Sequence, residues 1–197
     1  NEEAGDIISW LTRNSAISGG RCIIASSYAV YNILNRKLAL NLRRELISRS
    51  QNTCLRPIFF YHRERFIVSF GRIPLIGSAI HSRSPDLSPV SKQQYQALDD
   101  IEHAARKVQL EIKTQPGDIH FINNFFILHR RDCFEDDDQV GEKQHLVRMR
   151  LQDDALHWDL PESLRNEWSK SFDGVSAKLW HVDSMPKGNF PLRSFPN

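Results

Sequence analysis

The chain has 197 residues, 40% of them hydrophobic and 25% charged, enough to bury one core without disulfide staples. Its 26 Lys and Arg against 24 Asp and Glu leave a net charge of +2 scattered along the sequence, which argues against a nucleic-acid partner. Cys22, Cys54 and Cys133 form neither a CxxC pair nor a disulfide framework, so a reducing, cytoplasmic setting is expected, and no apolar run approaches the roughly 20 residues that span a bilayer.

"DIISWL" (6–11) and "RCIIASS" (21–27) read as strands around an "SGG" turn. Two helices are expected next, at 28–34 and at 36–48, the second from Leu38, Leu42 and Leu46 at i, i+4, i+8 with arginines opposite. "PIFFYHRERFIVSFGR" (57–72) predicts a hairpin through its aromatic and β-branched runs around a polar turn. Residues 73–91, with three prolines and no sustained periodicity, predict a long covering loop.

Ser91 and Gln94 form a capping-box pattern ahead of a helix to about Gln109, with Tyr95, Leu98, Ile101, Ala105 and Val108 on one face. A "QPGD" turn (115–118) precedes strands at 119–122, 125–129 and 144–151, and the proline- and aromatic-rich stretch from about Asp159 should pack across the surface. This order mixes helix and strand without regular βαβ alternation, so antiparallel strands in a barrel or sandwich flanked by helices are expected. "EDDD" (135–138) reads as a solvated loop, and the nine-residue spacing of His120 and His129 matches no zinc motif.

"GDIHFINNFFILHRRDCFEDD" with "KQHLVRMRLQDDALHWDLPESLR" resembles the C-terminal part of the taurine dioxygenase-like (TauD/TfdA) family of Fe(II)- and 2-oxoglutarate-dependent oxygenases. "GDIISWL…SGGRCIIASSYAVYNIL" and "RSPDLSPVSKQQYQALDDIEHAA" resemble the same family's middle section, so the likeness runs in order along nearly the whole chain. It implies one domain over 1–197, a double-stranded β-helix (jelly roll) flanked by helices and truncated at its N-terminus. It also implies iron held by two histidines and a carboxylate on one face, leaving positions for 2-oxoglutarate and oxygen.

By that resemblance His129 is the distal histidine and Glu3 the carboxylate, while Asn1 stands where the first histidine belongs. An amide oxygen is a weak donor to Fe(II). Gln144 occupies the position of the arginine that forks onto the distal carboxylate of 2-oxoglutarate, and Cys22 that of a hydroxyl beside it. Losing a charged bidentate partner should cost about 10- to 100-fold in affinity. Arg148 matches a second family arginine that binds anionic substrate groups and could stand in part for the missing one, and strand alternation sets it on one face with Gln144, Leu146 and Arg150. Asn123 and Asn124 fall near the substrate pocket.

Two functions follow from different classes. One is an oxygenase acting on a small, anionic substrate, its turnover impaired by Asn1 and Gln144. The other is a non-catalytic homologue or gene fragment that keeps the scaffold and an anion pocket. In either case strands missing upstream would leave an unpaired sheet edge, through which the chain is expected to self-associate.

Overall fold

The computed structural model describes residues 4–35, 43–47, 53–78, 82–83, 89–136 and 143–172. In chain order the elements are β1 (Ile7–Asn14), β2 (Ser18–Gly19), β3 (Cys22–Ser26), α1 (Ser27–Asn35), β4 (Arg43–Ile47), β5 (Thr53–Pro57), β6 (Phe59–His62) and β7 (Arg65–Val68). They continue with α2 (Ile73–Ile76), α3 (Lys92–Val108), β8 (Leu110–Ile112), β9 (Ile119–Asn123), β10 (Ile127–Arg131), β11 (Phe134–Glu135), β12 (His145–Leu151) and α4 (Glu162–Phe172).

Two three-stranded sheets, ordered β12-β1-β9 and β10-β3-β8, form the centre, and every pairing within them is antiparallel. Period-two alternation sends Ile8 and Trp10 of β1, Cys22 and Ile24 of β3, Ile122 of β9 and Ile127 of β10 into one shared apolar cluster between the sheets. The opposite face of the second sheet, through Ala25 and Leu128, packs on Val30 and Leu34 of α1 and Leu98, Ile101 and Ala104 of α3. A third cluster seats Leu164 and Trp168 of α4 on Phe125 and on Ile67 of β7, with Phe125 stacked against both Trp158 and Trp168.

The local signals explain several of these elements. In α3, the Ser91 hydroxyl accepts from the Gln94 N–H while the Gln94 side chain accepts from the Ser91 N–H, so two end donors are satisfied reciprocally. The 57–72 hairpin forms as expected, with Arg63 and Glu64 both at positive φ in its turn, as a two-residue connection between twisted strands requires.

Three expectations differ from the structure. Residues 43–47 are a strand paired with β5, against the helix expected over 36–48, whose earlier part lies outside the described residues. The 73–91 segment begins with the short helix α2, and much of the remainder lies outside the described residues. Asn123–Phe126 is a turn instead of the start of the next strand: Phe126 N–H reaches the Asn123 carbonyl and Phe125 N–H the Asn123 side chain.

Candidate active site

The space between the two central sheets opens at one end into a cavity of about 350 Å³, lined by Trp10, Thr12, Gly20, Cys22, Thr114, His129, Arg130, Arg131, Leu146 and Arg148. Each sheet supplies one wall by the same alternation that builds the core. Trp10 and Thr12 of β1 pair across to Arg148 and Leu146 of β12, and Cys22 of β3 pairs with Arg131 of β10. His129 lies two residues before Arg131, hence on the same strand face, and its ring sits 5.7 Å from that of Trp10.

His129 is half-buried, and its Nδ1 is enclosed with no close hydrogen-bond partner, the Ile127 backbone acting weakly on the ring. Burial, reinforced by the positive charge of Arg148, pushes its pKa down to about 3, so the imidazole is neutral at physiological pH. A neutral imidazole with an open nitrogen can ligate a metal or accept a hydrogen bond. Burial alone pushes the Cys22 thiol up to about 11, leaving a neutral and weak donor in the wall. Thr12 is 1% exposed, and its hydroxyl also has no partner.

Among the described residues the cavity is cationic: three arginines line it and no carboxylate does. Arg130 is bonded outside, to Asp132 and to Gln109. Arg131 donates from Nη1 to Gln144 Oε1 at 3.1 Å and lies over the Phe134 ring at 4.4 Å. Burial draws its pKa below the ordinary range while the more distant Asp136 carboxylate opposes the shift. Gln144 in turn donates from Nε2 to the Gly20 carbonyl at 3.3 Å and from its backbone to Asp136.

The structure thus brings together His129, Arg148, Cys22 and, beside the cavity, Gln144. Asn123 and Asn124 are placed elsewhere: they hold the turn after β9, where Asn124 Nδ2 donates to the Gly5 carbonyl, and neither lines the cavity. Asn1 and Glu3 lie outside the described residues. Among the described residues no group of three His, Cys, Asp or Glu side chains could hold a metal ion. Among the described residues the lining offers guanidinium groups and hydroxyls that suit an anionic ligand, and one imidazole, His129, able to ligate a metal. Sequence reasoning passed over Trp10, Thr12, Thr114 and Arg131, of which Arg131 was readable by strand alternation from His129.

Two antiparallel sheets enclosing a pocket at one end, with helices packed outside, make the jelly-roll architecture expected. The family model for the taurine catabolism dioxygenase TauD, TfdA family matches residues 6–150, and the chain belongs to that family. A taurine hydroxylase-like protein from Stachybotrys chartarum is 32% identical, the match covering 92% of this chain and 50% of that one. The chain thus spans about half the length of this curated relative.

Solved structures share the fold at lower identity. An asparagine oxygenase in complex with Fe(II), hydroxyasparagine and succinate superposes with a TM-score of 0.56 at 14% identity, covering 77% of this chain and 46% of that one. PvcB from Pseudomonas aeruginosa gives 0.54 at 18%, over 78% of this chain and 54% of its own. A putative alpha-ketoglutarate dependent 2,4-D dioxygenase from Burkholderia xenovorans gives 0.52 at 13%, over 78% and 64%. No described helix is long and apolar enough to cross a membrane.

Proposed function

We propose that this chain is an Fe(II)/2-oxoglutarate-dependent oxygenase-like protein whose pocket takes a small anionic molecule and whose turnover is impaired at the metal. The observation that carries the reading is the cavity itself: a neutral imidazole with an enclosed nitrogen stands among arginines, and none of the described residues in the lining is a carboxylate. Such a lining favours a carboxylate-bearing ligand next to a metal-competent histidine.

In this reading His129 supplies one metal ligand and Glu3 a second, while Asn1 stands in the place of a third with a weak amide oxygen. Bound iron with 2-oxoglutarate would supply the electrons that activate O₂ for oxidation of an unreactive C–H bond. The chain's own part is orientation and exclusion of water. Arg148, close enough to His129 to depress its basicity, would hold an anionic group of the substrate, and the Trp10 ring walls the site toward the core.

A second reading, a non-catalytic homologue that keeps the anion pocket, is favoured by Asn1 and Gln144, which stand where the resemblance expects an imidazole and an arginine. Anaerobic titration with Fe(II) and 2-oxoglutarate, followed through the visible charge-transfer band of the chelate, separates the two. Impaired metal binding predicts a band that rises only at high iron and strengthens in the Asn1→His variant. A band that saturates at micromolar iron in the unaltered chain would refute impairment, and no band in either chain would leave the non-catalytic reading.

A further inference from the structure

The oxygenase reading leaves the position of the carboxylate-gripping arginine filled by Gln144, an amide. Its surroundings give that amide a different task. Its oxygen accepts from Arg131 and its nitrogen donates to the Gly20 carbonyl, so both ends are engaged and its orientation is set. The seat is tight: Gly20 has φ of +68°, and a Cβ added there would come within 2.3 Å of Gln144 Nε2. A side chain at 20 would be strained by that backbone and would push the Gln144 amide out of its seat.

We propose that the carboxylate clamp of this pocket has moved along the chain from position 144 to Arg131, with Gln144 as its positioning residue and the Thr12 hydroxyl as a second donor. The proposal rests on the oxygenase reading and deepens it by naming the residue that grips a small dicarboxylate. Among the described residues Arg131 has no ion-pair partner. Its hydrogen bond is to a neutral amide, its guanidinium lies over the Phe134 ring, and the Asp136 carboxylate acts on it only from beyond ion-pair distance, so the charge is held in place and only partly offset.

Position also favours Arg131. It projects from the same face of β10 as His129, two residues on, about 6.6 Å along the strand. That separation suits a five-carbon diacid with one end near His129 and the other on the guanidinium fork. Arg148 acts on His129 itself, which places it toward the other end of such a ligand. Thr12, buried and with its hydroxyl unpartnered in the same cavity, supplies a neutral donor that the Cys22 thiol opposite cannot match. An arginine at 144 would bring a second cation against Arg131, so a charge at one position requires neutrality at the other.

Glutarate, a diacid without the keto group, tests the clamp without metal. Calorimetric titration of the 197-residue chain with glutarate, and separately with 2-oxoglutarate, should show Arg131→Met weakening both by about 10- to 100-fold. Arg131→Lys, which keeps the charge without the fork, should fall between. Gln144→Glu should lose at least as much as Gln144→Ala, because the new carboxylate cancels Arg131, and a merely structural role for Gln144 predicts the reverse order. The double exchange Arg131→Gln with Gln144→Arg should recover binding relative to Arg131→Gln alone. Unchanged affinity in Arg131→Met with a large loss in Arg148→Met would overturn the proposal, as would no glutarate binding by the unaltered chain up to tens of millimolar. Iron binding, followed by the electron paramagnetic resonance of the Fe(II)–nitric oxide adduct, decides the underlying reading separately. Iron without glutarate sinks the clamp alone, and Arg131-dependent glutarate binding without iron keeps the clamp and sinks the metal site.

Discussion

The sheet β12-β1-β9 has two faces made by the same residues in alternation, and they have opposite fates. On the inner side Ile8 is fully buried, Trp10 and Ile122 are buried beside it, and Thr12, Leu146 and Arg148 continue the surface into the cavity. On the outer side Ile119, Phe121 and Met149 are exposed, with Phe121 at 63%, and Ile7 and Leu151 lie at the margin of exposure. Both faces are apolar, so composition cannot tell them apart. The difference is what lies opposite: the inner face has β10-β3-β8 to pack on, and apolar area contributes about 25 cal/mol per Å² only where water is removed.

That contrast sets a first and largest test. Ile8→Ala removes a side chain with no exposed surface from the centre of the intersheet cluster, and should cost roughly 2–5 kcal/mol through lost burial and a residual cavity. Denaturant unfolding would measure it. A loss below about 1 kcal/mol would mean that the two sheets do not press together at this point.

A second test makes the same chemical change on both faces. Ser9 points to the outer side yet is completely buried, beneath cross-strand neighbours Phe121 and Met149, and Thr12 points inward; both hydroxyls lack a partner. Ser9→Ala and Thr12→Val each remove an unsatisfied buried group, so each should leave stability unchanged or raise it by up to about 1 kcal/mol. Only Thr12→Val should weaken glutarate. Equal effects on the ligand would remove Thr12 from the proposed clamp.

A pH-dependent effect comes from Asp6, just ahead of β1. Its carboxylate accepts a hydrogen bond from Trp168 Nε1 at 2.9 Å, yet burial raises its pKa above the ordinary 3.8, because the second oxygen is enclosed without a partner. The folded protein therefore holds this proton more tightly than the unfolded chain does. The stability that Asp6 contributes is full below pH 3.8 and is lost as pH rises through the folded value. Asp6→Asn, neutral at every pH, should melt progressively higher relative to the unaltered chain as pH goes from 4 to 7. A difference in melting temperature that stays flat across that range would show that Asp6 does not titrate abnormally.

What could be foreseen in the sequence divides along the same line of local against distant partners. The α3 cap needs only Ser91 and Gln94, three residues apart, and the β6–β7 hairpin needs only its own turn, so both were legible. The leucine spacing over 36–48 suggested a helix, whereas residues 43–47 gain their pairing from β5, a partner that periodicity does not see. Strands β8 and β11, of three and two residues, are too short to carry any period. At the site, the family likeness pointed to His129, Arg148 and Cys22, and all three line the cavity. Arg131 was readable from His129 by strand alternation, but its tether was not: its guanidinium is held by Gln144, 13 residues on, which is itself held by Gly20, 124 residues away. Asn123 and Asn124 were drawn toward the pocket by proximity in sequence, while their hydrogen bonds serve the turn.

The smallest expected effect is the sharpest test of the two-faced sheet. Phe121 alternates with Ile122 on β9, so neighbouring positions of one strand project to opposite sides. Placing a lysine at 121 adds a charge to a side chain that is already mostly in water, which needs no desolvation and leaves the backbone ladder to β1 unchanged. Phe121→Lys should therefore alter stability by no more than about 0.5 kcal/mol. Ile122→Lys, one residue further, would bury an ammonium in the intersheet cluster and should prevent a cooperative fold. Circular dichroism melts of the two variants side by side give the answer. If Phe121→Lys lost several kcal/mol, its ring would be covered in solution. A partner on the outer face, a second copy of the chain included, would then have to be sought by sedimentation at rising protein concentration.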